Sequence, residues 1–191
     1  MSGRFVYWIN VSLDLRIEYT ENEQGSGSWA RIGESLHQEF NSRARAMSLM
    51  VQGRVVYETM EGFWPEARDD ASLPEYLREY GRIWTSMPKV LVSRTRTSAE
   101  YNTRVIDSVG ALADLRAQTE GDIGVGGATL ATELLRAGLL DELLLVTHPV
   151  VLGAGRSLFD GLDEPLELDL LEQARFDEGV TLHRYAVRKK Q

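Results

Sequence analysis

The sequence predicts an α/β protein in which a mainly parallel central sheet lies between two helical layers and finishes in an antiparallel hairpin. Three patterns point there. Short, continuously apolar runs at residues 4–11 and 89–93 read as strands buried on both faces. Between such runs, apolar residues recur at spacings of three and four, the stripe of an amphipathic helix. Repeated alternation of strand and helix implies right-handed crossovers, and therefore parallel strands covered on both sides. The 191 residues fit one core, since single domains commonly occupy roughly 100 to 200 residues, and no repeat, low-complexity tract or linker divides residues 1–191.

Residues 4–11 (RFVYWINV), rich in aromatic and β-branched side chains, form the first predicted strand. Residues 18–29 (EYTENEQGSGSW) are polar and Gly/Ser-rich and read as a surface loop able to move. Leu36, Phe40, Ala44 and Met47 mark a helix over 34–47, and 49–51 a short strand. Gly53 takes a turn before a helix from Arg54, and 65–88 run from an acidic stretch into one helix carrying Tyr76, Leu77, Tyr80, Ile83 and Trp84. Residues 89–93 and 102–106 are strands; 107–118 is a helix capped by Asp107 or Ser108. Residues 122–127 lead from strand into a glycine turn, followed by a helix with Leu130, Leu134 and Leu135 inward and Gly138 as its stop. Residues 142–152 form another strand, and 175–188 a hairpin turning at Glu178-Gly179.

Twenty-one Lys and Arg against 29 Asp and Glu give a net charge of −8, which argues against a nucleic-acid or anionic-membrane binder. The absence of cysteine excludes disulfides, thiol catalysis, iron–sulfur clusters and thiolate zinc. His37, His148 and His183 lie far apart without metal-type spacing, so no metal is expected; His37 and His183 read as surface residues and His148 as structural. No export signal is visible, and the longest apolar stretch, 139–152, is interrupted by Asp141, Glu142 and His148 and falls short of the roughly 20 residues a membrane span needs. A cytoplasmic protein is expected. The acidic runs Asp69-Asp70 and 160–169 read as solvated faces.

The sharpest local signal is the glycine-rich passage from strand to helix at residues 123–130 (IGVGGATL). Glycines there admit a ligand close to the backbone, and free N–H groups with the helix dipole favour phosphate. It is not a Rossmann fingerprint, because the third glycine position holds Thr129 and the turn comes late in the chain; no lysine follows, which excludes a phosphate-loop NTPase. A tight turn with close packing would explain the glycines equally. Gly53-Arg54 and Ser93-Arg94-Thr95 each place an arginine after a predicted strand, the edge where open α/β sheets bind ligands. Each arginine alone reads as a solvated charge.

Together these segments resemble the dihydrofolate reductase-like family, in the branch of the C-terminal reductase domain of the bifunctional riboflavin-biosynthesis deaminase/reductase. The resemblance rests on VSLD at 11–14, GRVVYE at 53–58, FWP at 63–65, MPKVLVSRT at 87–95, VGGATL at 125–130 and AGLLDELLLVTHPVVLGAGRSLF at 137–159, in the family's order over nearly the whole chain. It implies a three-layer α/β/α fold, a homodimer, and NADPH bound across the strand ends with hydride delivered to a small nitrogen heterocycle or imine-like metabolite; the nearest named analogues are 5-amino-6-(5-phosphoribosylamino)uracil reductase and dihydrofolate reductase. By the same resemblance, Gly126, Gly127, Ala128, Thr129 and Leu130 contact the pyrophosphate, with Gly53 and Arg54 beside it. Ser93, Arg94 and Thr95 bind the adenosine 2′-phosphate, and Val11 to Asp14 line the nicotinamide end. The loop at 18–29 then resembles a mobile active-site loop. Three positions depart from the family pattern: Leu15 stands for Gly, Ser28 for Asp and Val56 for Thr.

Hydride transfer needs a proton on the neighbouring heteroatom. Asp14 is the best-placed carboxyl, with a raised pKa if the pocket desolvates it; a turn or cap aspartate is the competing reading. Trp29 and Trp64 could wall a flat substrate ring or simply pack in the core. The loop 153–156 could reach a substrate phosphate, although a bare turn is the plainer reading. The rival function is a catalytically weak nucleotide-binding or regulatory homodimer on the same fold, motivated by Leu15 and Val56. A serine hydrolase is excluded because no Gly-x-Ser-x-Gly elbow exists.

Overall fold

In the computed structural model, residues 2–19, 27–162 and 164–189 are described. The chain runs β1 (Arg4–Ser12), α1 (Glu34–Ala46), β2 (Leu49–Gly53), α2 (Arg54–Glu61), α3 (Trp64–Asp69), α4 (Glu75–Ser86), β3 (Lys89–Val92), β4 (Thr103–Ile106), α5 (Leu112–Gln118), β5 (Asp122–Gly126), α6 (Ala128–Arg136), β6 (Leu140–His148), β7 (Leu168–Arg175) and β8 (Thr181–Val187). The described strands form one sheet in the order β4-β3-β2-β5-β1-β6-β8-β7. From β4 to β6 neighbours are parallel; β8 joins β6 antiparallel, and β7 closes the edge antiparallel to β8. This is the predicted fold class.

The period-two alternation of each strand divides the core. One face presents Phe5, Tyr7, Val51, Ile123 and Leu143 to α5 and α6, through Leu112, Leu115, Leu130 and Leu134. The other presents Val6, Met50, Leu91, Leu144 and Val146 to α1, α2 and α4, through Leu36, Phe40, Tyr57, Tyr80 and Trp84. Helices on both faces explain why the parallel strands read as unbroken apolar runs.

The structure corrects the predicted boundaries in four places. The acidic stretch read as leading into one helix itself holds a helix, α3, separated from α4 because the Asp70 carboxylate accepts the Ser72 N–H at 2.8 Å and hydroxyl at 2.6 Å and turns the chain between them. The segment 107–118 opens as a 3₁₀ turn at Val109–Ala111 before α5, and no side chain caps it. Strand β6 covers Leu140–His148 and stops before Pro149, which lacks the donor to continue a ladder. The terminal hairpin is longer than predicted, because Leu168 and Asp169, read as part of a solvated acidic run, belong to β7.

At the N-terminal ends of the strands, buried Glu142 is paired by Arg184, which also meets Asp122 at 2.8 Å, and by Arg4 at 3.3 Å. Buried charge is tolerated there because it is paired. The opposite, C-terminal edge gathers the candidate site.

Candidate functional site

Because β1, β2, β3, β5 and β6 are parallel, the residues after each strand emerge along one edge of the sheet. Asp14, Gly53-Arg54, Ser93 to Thr95, Gly126 to Leu130 and His148 therefore share that edge, although they are scattered through the sequence. No group of three or more His, Asp or Glu among the described residues is arranged to hold a metal ion.

The centre of the edge is the meeting of two helix starts. Strands β2 and β5 are neighbours, with Gln52 opposite Gly126, so α2 and α6 begin side by side. Gly127 has φ +111°, a conformation that excludes ordinary side chains. A Cβ built on it would lie 3.7 Å from the Gly53 nitrogen, and one on Gly126 would lie 3.2 Å from Val56 Cγ1. The glycines thus keep a concave strip of backbone open between the helices, with Val56 packed along it. Neither helix start is capped by a side chain. Moreover, α1, α3, α4 and α5 each carry an acid in the first turn, whereas α2 and α6 carry none. Acids normally neutralise helix N-termini, so two adjacent ones without them leave the positive dipole ends available to an anion.

Arg54, the first residue of α2, lies half-exposed and turned to Glu58 at 2.7 Å. Ser93 is buried, and its Oγ accepts the Arg96 N–H at 3.0 Å and the Thr95 N–H at 3.3 Å, folding the chain back after β3. That turn presents Arg94 to solvent with no ion pair among the described residues. Arg96, not singled out from the sequence, is held by Glu61 at 2.7 Å over the Tyr57 ring. Val11 is fully buried within the α5/α6 face of the core.

Asp14 overturns its expected ionisation. The Ser12 hydroxyl (2.6 Å) and the Leu152 and Gly153 N–H groups (3.0 and 2.9 Å) all donate to its carboxylate, holding the pKa down at about 2. These bonds tie the end of β1 to the segment after β6. Leu15 follows at φ +56°, which explains why a glycine suits this position.

His148 is the second tie. Its Nδ1 accepts the Arg31 N–H at 2.9 Å and its Nε2 lies 3.0 Å from Asn10 Oδ1, which fixes a neutral ring protonated at Nε2. Trp29 stands edge-on to it at 5.7 Å. Residues 20–26, most of the predicted loop, lie outside the described residues, but the chain beyond them is fastened at Trp29 and Arg31. Burial, reinforced by Arg31, lowers the His148 pKa from 6.5 to about 4. A base with a lowered native pKa stabilises the fold fully above about pH 6.5, and that contribution fades as pH falls through about 4. Urea unfolding of the wild type is expected to lose stability between pH 6.5 and 4, with a smaller loss in His148→Gln; equal slopes would remove His148 as the cause.

Trp64 packs against Tyr80 at 4.4 Å and His37 at 5.8 Å, and its Nε1 lies 2.9 Å from Met60 Sδ. His37 is buried, not on the surface, enclosed by Phe40, Trp64, Tyr76 and Tyr80, with burial lowering its pKa. Trp8 and Phe40 continue this aromatic wall at 5.0 Å. The loop at 153–156 is more than a bare turn: Arg156 donates to Thr129 Oγ1 at 3.0 Å, at the start of α6.

The chain is 26% identical over 179 residues to the uncharacterized protein YyaP of Bacillus subtilis (strain 168), covering 89% of this chain and 90% of that one. Among solved structures it superposes on a putative riboflavin biosynthesis protein from Shewanella sp. PV-4 with TM-score 0.73 and 20% identity, covering 99% of this chain and 100% of that one. It also superposes on dihydrofolate reductase from Enterococcus faecalis, solved with NADP(H) and RAB-propyl, with TM-score 0.65 and 14% identity, covering 99% of each. The fold is therefore of the dihydrofolate reductase type. The sequence pattern of the RibD C-terminal domain matches residues 7–182, so the chain belongs to the RibD C-terminal domain family.

Proposed function

We propose that this protein is an NADPH-dependent reductase that delivers hydride to a small nitrogen heterocycle or imine-like metabolite. The observation that carries the reading is the pair of uncapped, acid-free helix starts meeting at Gly53 and Gly127. A pyrophosphate is the ligand for which such a strip is suited, since backbone N–H groups and helix dipoles meet its charge without any lysine. In this reading Gly126, Gly127, Ala128, Thr129 and Leu130 hold one phosphate and Gly53-Arg54 the other. Ser93, Arg94 and Thr95 receive the 2′-phosphate; Arg94 is exposed and has no ion pair among the described residues. NADPH supplies the hydride. Val11 lies under the nicotinamide end, and Trp64, in the aromatic wall, and Trp29, beside His148, face the substrate ring. Asp14, ionised, is the carboxylate that orients the water carrying the proton. The active species is a homodimer in the cytoplasm; no helix among the described residues is long and apolar enough to cross a membrane.

Titration with NADPH, followed by quenching of the four tryptophans, tests this reading. Saturable quenching is expected, and its absence at millimolar NADPH sinks the proposal. Arg94→Ala is expected to reduce the preference for NADPH over NADH by about 10- to 100-fold, the scale of one charge-assisted contact to phosphate; an unchanged ratio removes Arg94 from the site. The lowered pKa of Asp14 favours one second reading, a catalytically weak nucleotide binder on the same fold, because it leaves no carboxylic acid at that position. Tight NADPH binding without turnover of any pterin or pyrimidine would establish it.

A further inference from the structure

We propose that Arg156 is a cofactor-phosphate ligand at the start of α6 and that Glu18 competes with the phosphate for it. The inference rests on the NADPH reading above and assigns one residue and one competitor to it.

The position of Arg156 is fixed by backbone. Its carbonyl accepts the Ile17 N–H at 3.0 Å, the preceding Gly155 carbonyl accepts from Arg16 Nη1 at 3.0 Å, and Leu158 N–H donates to the Leu15 carbonyl at 2.9 Å. Gly155 itself has φ +98°, and a Cβ there would collide with the Glu18 carbonyl, so the two segments can approach this closely only through glycine. The segment 155–158 is thereby pinned along 15–18, and it delivers the guanidinium to the first turn of α6.

There Arg156 Nη2 donates to Thr129 Oγ1 at 3.0 Å. Accepting that bond leaves the threonine its own proton to donate, so guanidinium, hydroxyl and the free N–H groups of α6 form one donor set with no acid in the first turn. A second observation comes from beneath the same turn. Tyr7 is buried, its hydroxyl has no hydrogen-bond partner among the described residues, and the side chain borders a small, mostly apolar void with Ala128, Ala131, Thr132 and Leu158. Burial pushes the pKa of that hydroxyl up, and Arg156 and Glu18 are the charged groups that act on it, in opposite directions. A buried polar group without a partner is the kind of group that a bound ligand or its water completes.

Among the described residues, the charge paired with Arg156 is Glu18, whose Oε1 lies 4.0 Å from Nη1. At that separation the pair is loose, and the guanidinium keeps donors in hand. A phosphate held at α6 offers it closer, doubly oriented oxygens. Arg156 therefore exchanges Glu18 for phosphate on binding, and the carboxylate is a brake on affinity.

The test is direct binding of NADPH and NADH to the full chain by tryptophan fluorescence and calorimetry, with circular dichroism as the folding control. Arg156→Ala is expected to weaken both dinucleotides by the same factor, about 10- to 100-fold, leaving their ratio unchanged, because the contact is to the pyrophosphate they share. Glu18→Gln is expected to tighten both by about 2- to 5-fold at low salt, with the gain fading at high salt and vanishing in the double variant with Arg156→Ala. Wild-type protein that binds neither dinucleotide overturns the cofactor reading and this inference together. Wild-type binding with unchanged affinity in Arg156→Ala, or a Glu18→Gln gain that survives in the double variant, overturns this inference alone.

Discussion

Gly127→Val is expected to raise the dissociation constant for NADPH by at least about 100-fold while the chain still folds. Two effects act together. Valine must adopt φ near +111°, where its branched Cβ is opposed by its own backbone, and such strain costs of order 1–3 kcal/mol. Relief by local rearrangement moves the first turn of α6, whose N–H groups are the proposed phosphate donors. In addition the new side chain starts 3.6 Å from Val56 and 3.7 Å from Gly53, on the strip the cofactor would cross. The stability loss, read by urea unfolding, is expected to stay within that 1–3 kcal/mol, well below the typical 5–15 kcal/mol that holds a domain folded. The binding loss is expected to be the larger effect, and retained affinity would show that the glycines serve packing alone.

The second large effect is structural and lies where α4 packs on α3. Gly81, in the middle of α4, meets α3 so closely that a Cβ would lie 2.7 Å from the Trp64 carbonyl oxygen and 2.8 Å from the Arg68 nitrogen. Both are backbone atoms, so no rotamer change makes room. Intrinsic helix propensity favours alanine over glycine by about 1 kcal/mol, but overpacking against fixed backbone costs about 1–3 kcal/mol and sometimes more. Sterics win here because three α3 backbone atoms are struck at once. Gly81→Ala is expected to destabilise by about 2 kcal/mol net and to lower the melting temperature by roughly 4–8 °C for a chain of this size. A variant as stable as the wild type would mean that α3 yields freely. Because α3 carries Trp64, the same variant is expected to alter quenching by a substrate more than quenching by NADPH.

The parts of this architecture that were legible in the sequence are those whose surroundings are uniform. Strands β1, β3 and β6 are buried on both faces, so their runs are apolar regardless of which neighbour they meet. The glycine turn at 126–127 was legible because its backbone requirement is local. Strand β7 was not: it is an edge strand, it slips register between Leu170 and Glu172, and Leu170 and Leu171 are both 53% exposed. Alternation, the only signal such a strand has, is broken at the bulge. The break between α3 and α4 was legible in principle, since Asp70-x-Ser72 followed by Pro74 is a turn signal inside an otherwise helical stretch. His37 also carried a signal, standing three residues before Phe40 and seven before Ala44 on the buried stripe of α1. For Arg156 the loop 153–156 was legible as one that could reach a phosphate, but the contact it makes was not. Its partner Thr129 lies 27 residues earlier, and only the pairing of 155–158 with 15–18 brings them together. The ionisation of Asp14 was unreadable for the same reason, because two of its three donors come from residues 152 and 153.

The order of the sheet governs how the chain can be made. Strand β1 is synthesised before the other strands of its sheet, yet its two neighbours are β5 and β6, with Arg4 opposite Asp122 and Ser12 opposite His148. At roughly 5–20 residues per second of synthesis, the nascent segment 4–12 waits about 7–30 seconds before the residues that pair with it exist. For that interval a strand apolar on both faces, with Phe5, Val6 and Tyr7 bare, is held in reserve on a growing chain. The central place of β1, which aligns the candidate site, thus makes this strand a long-lived aggregation hazard of the nascent chain.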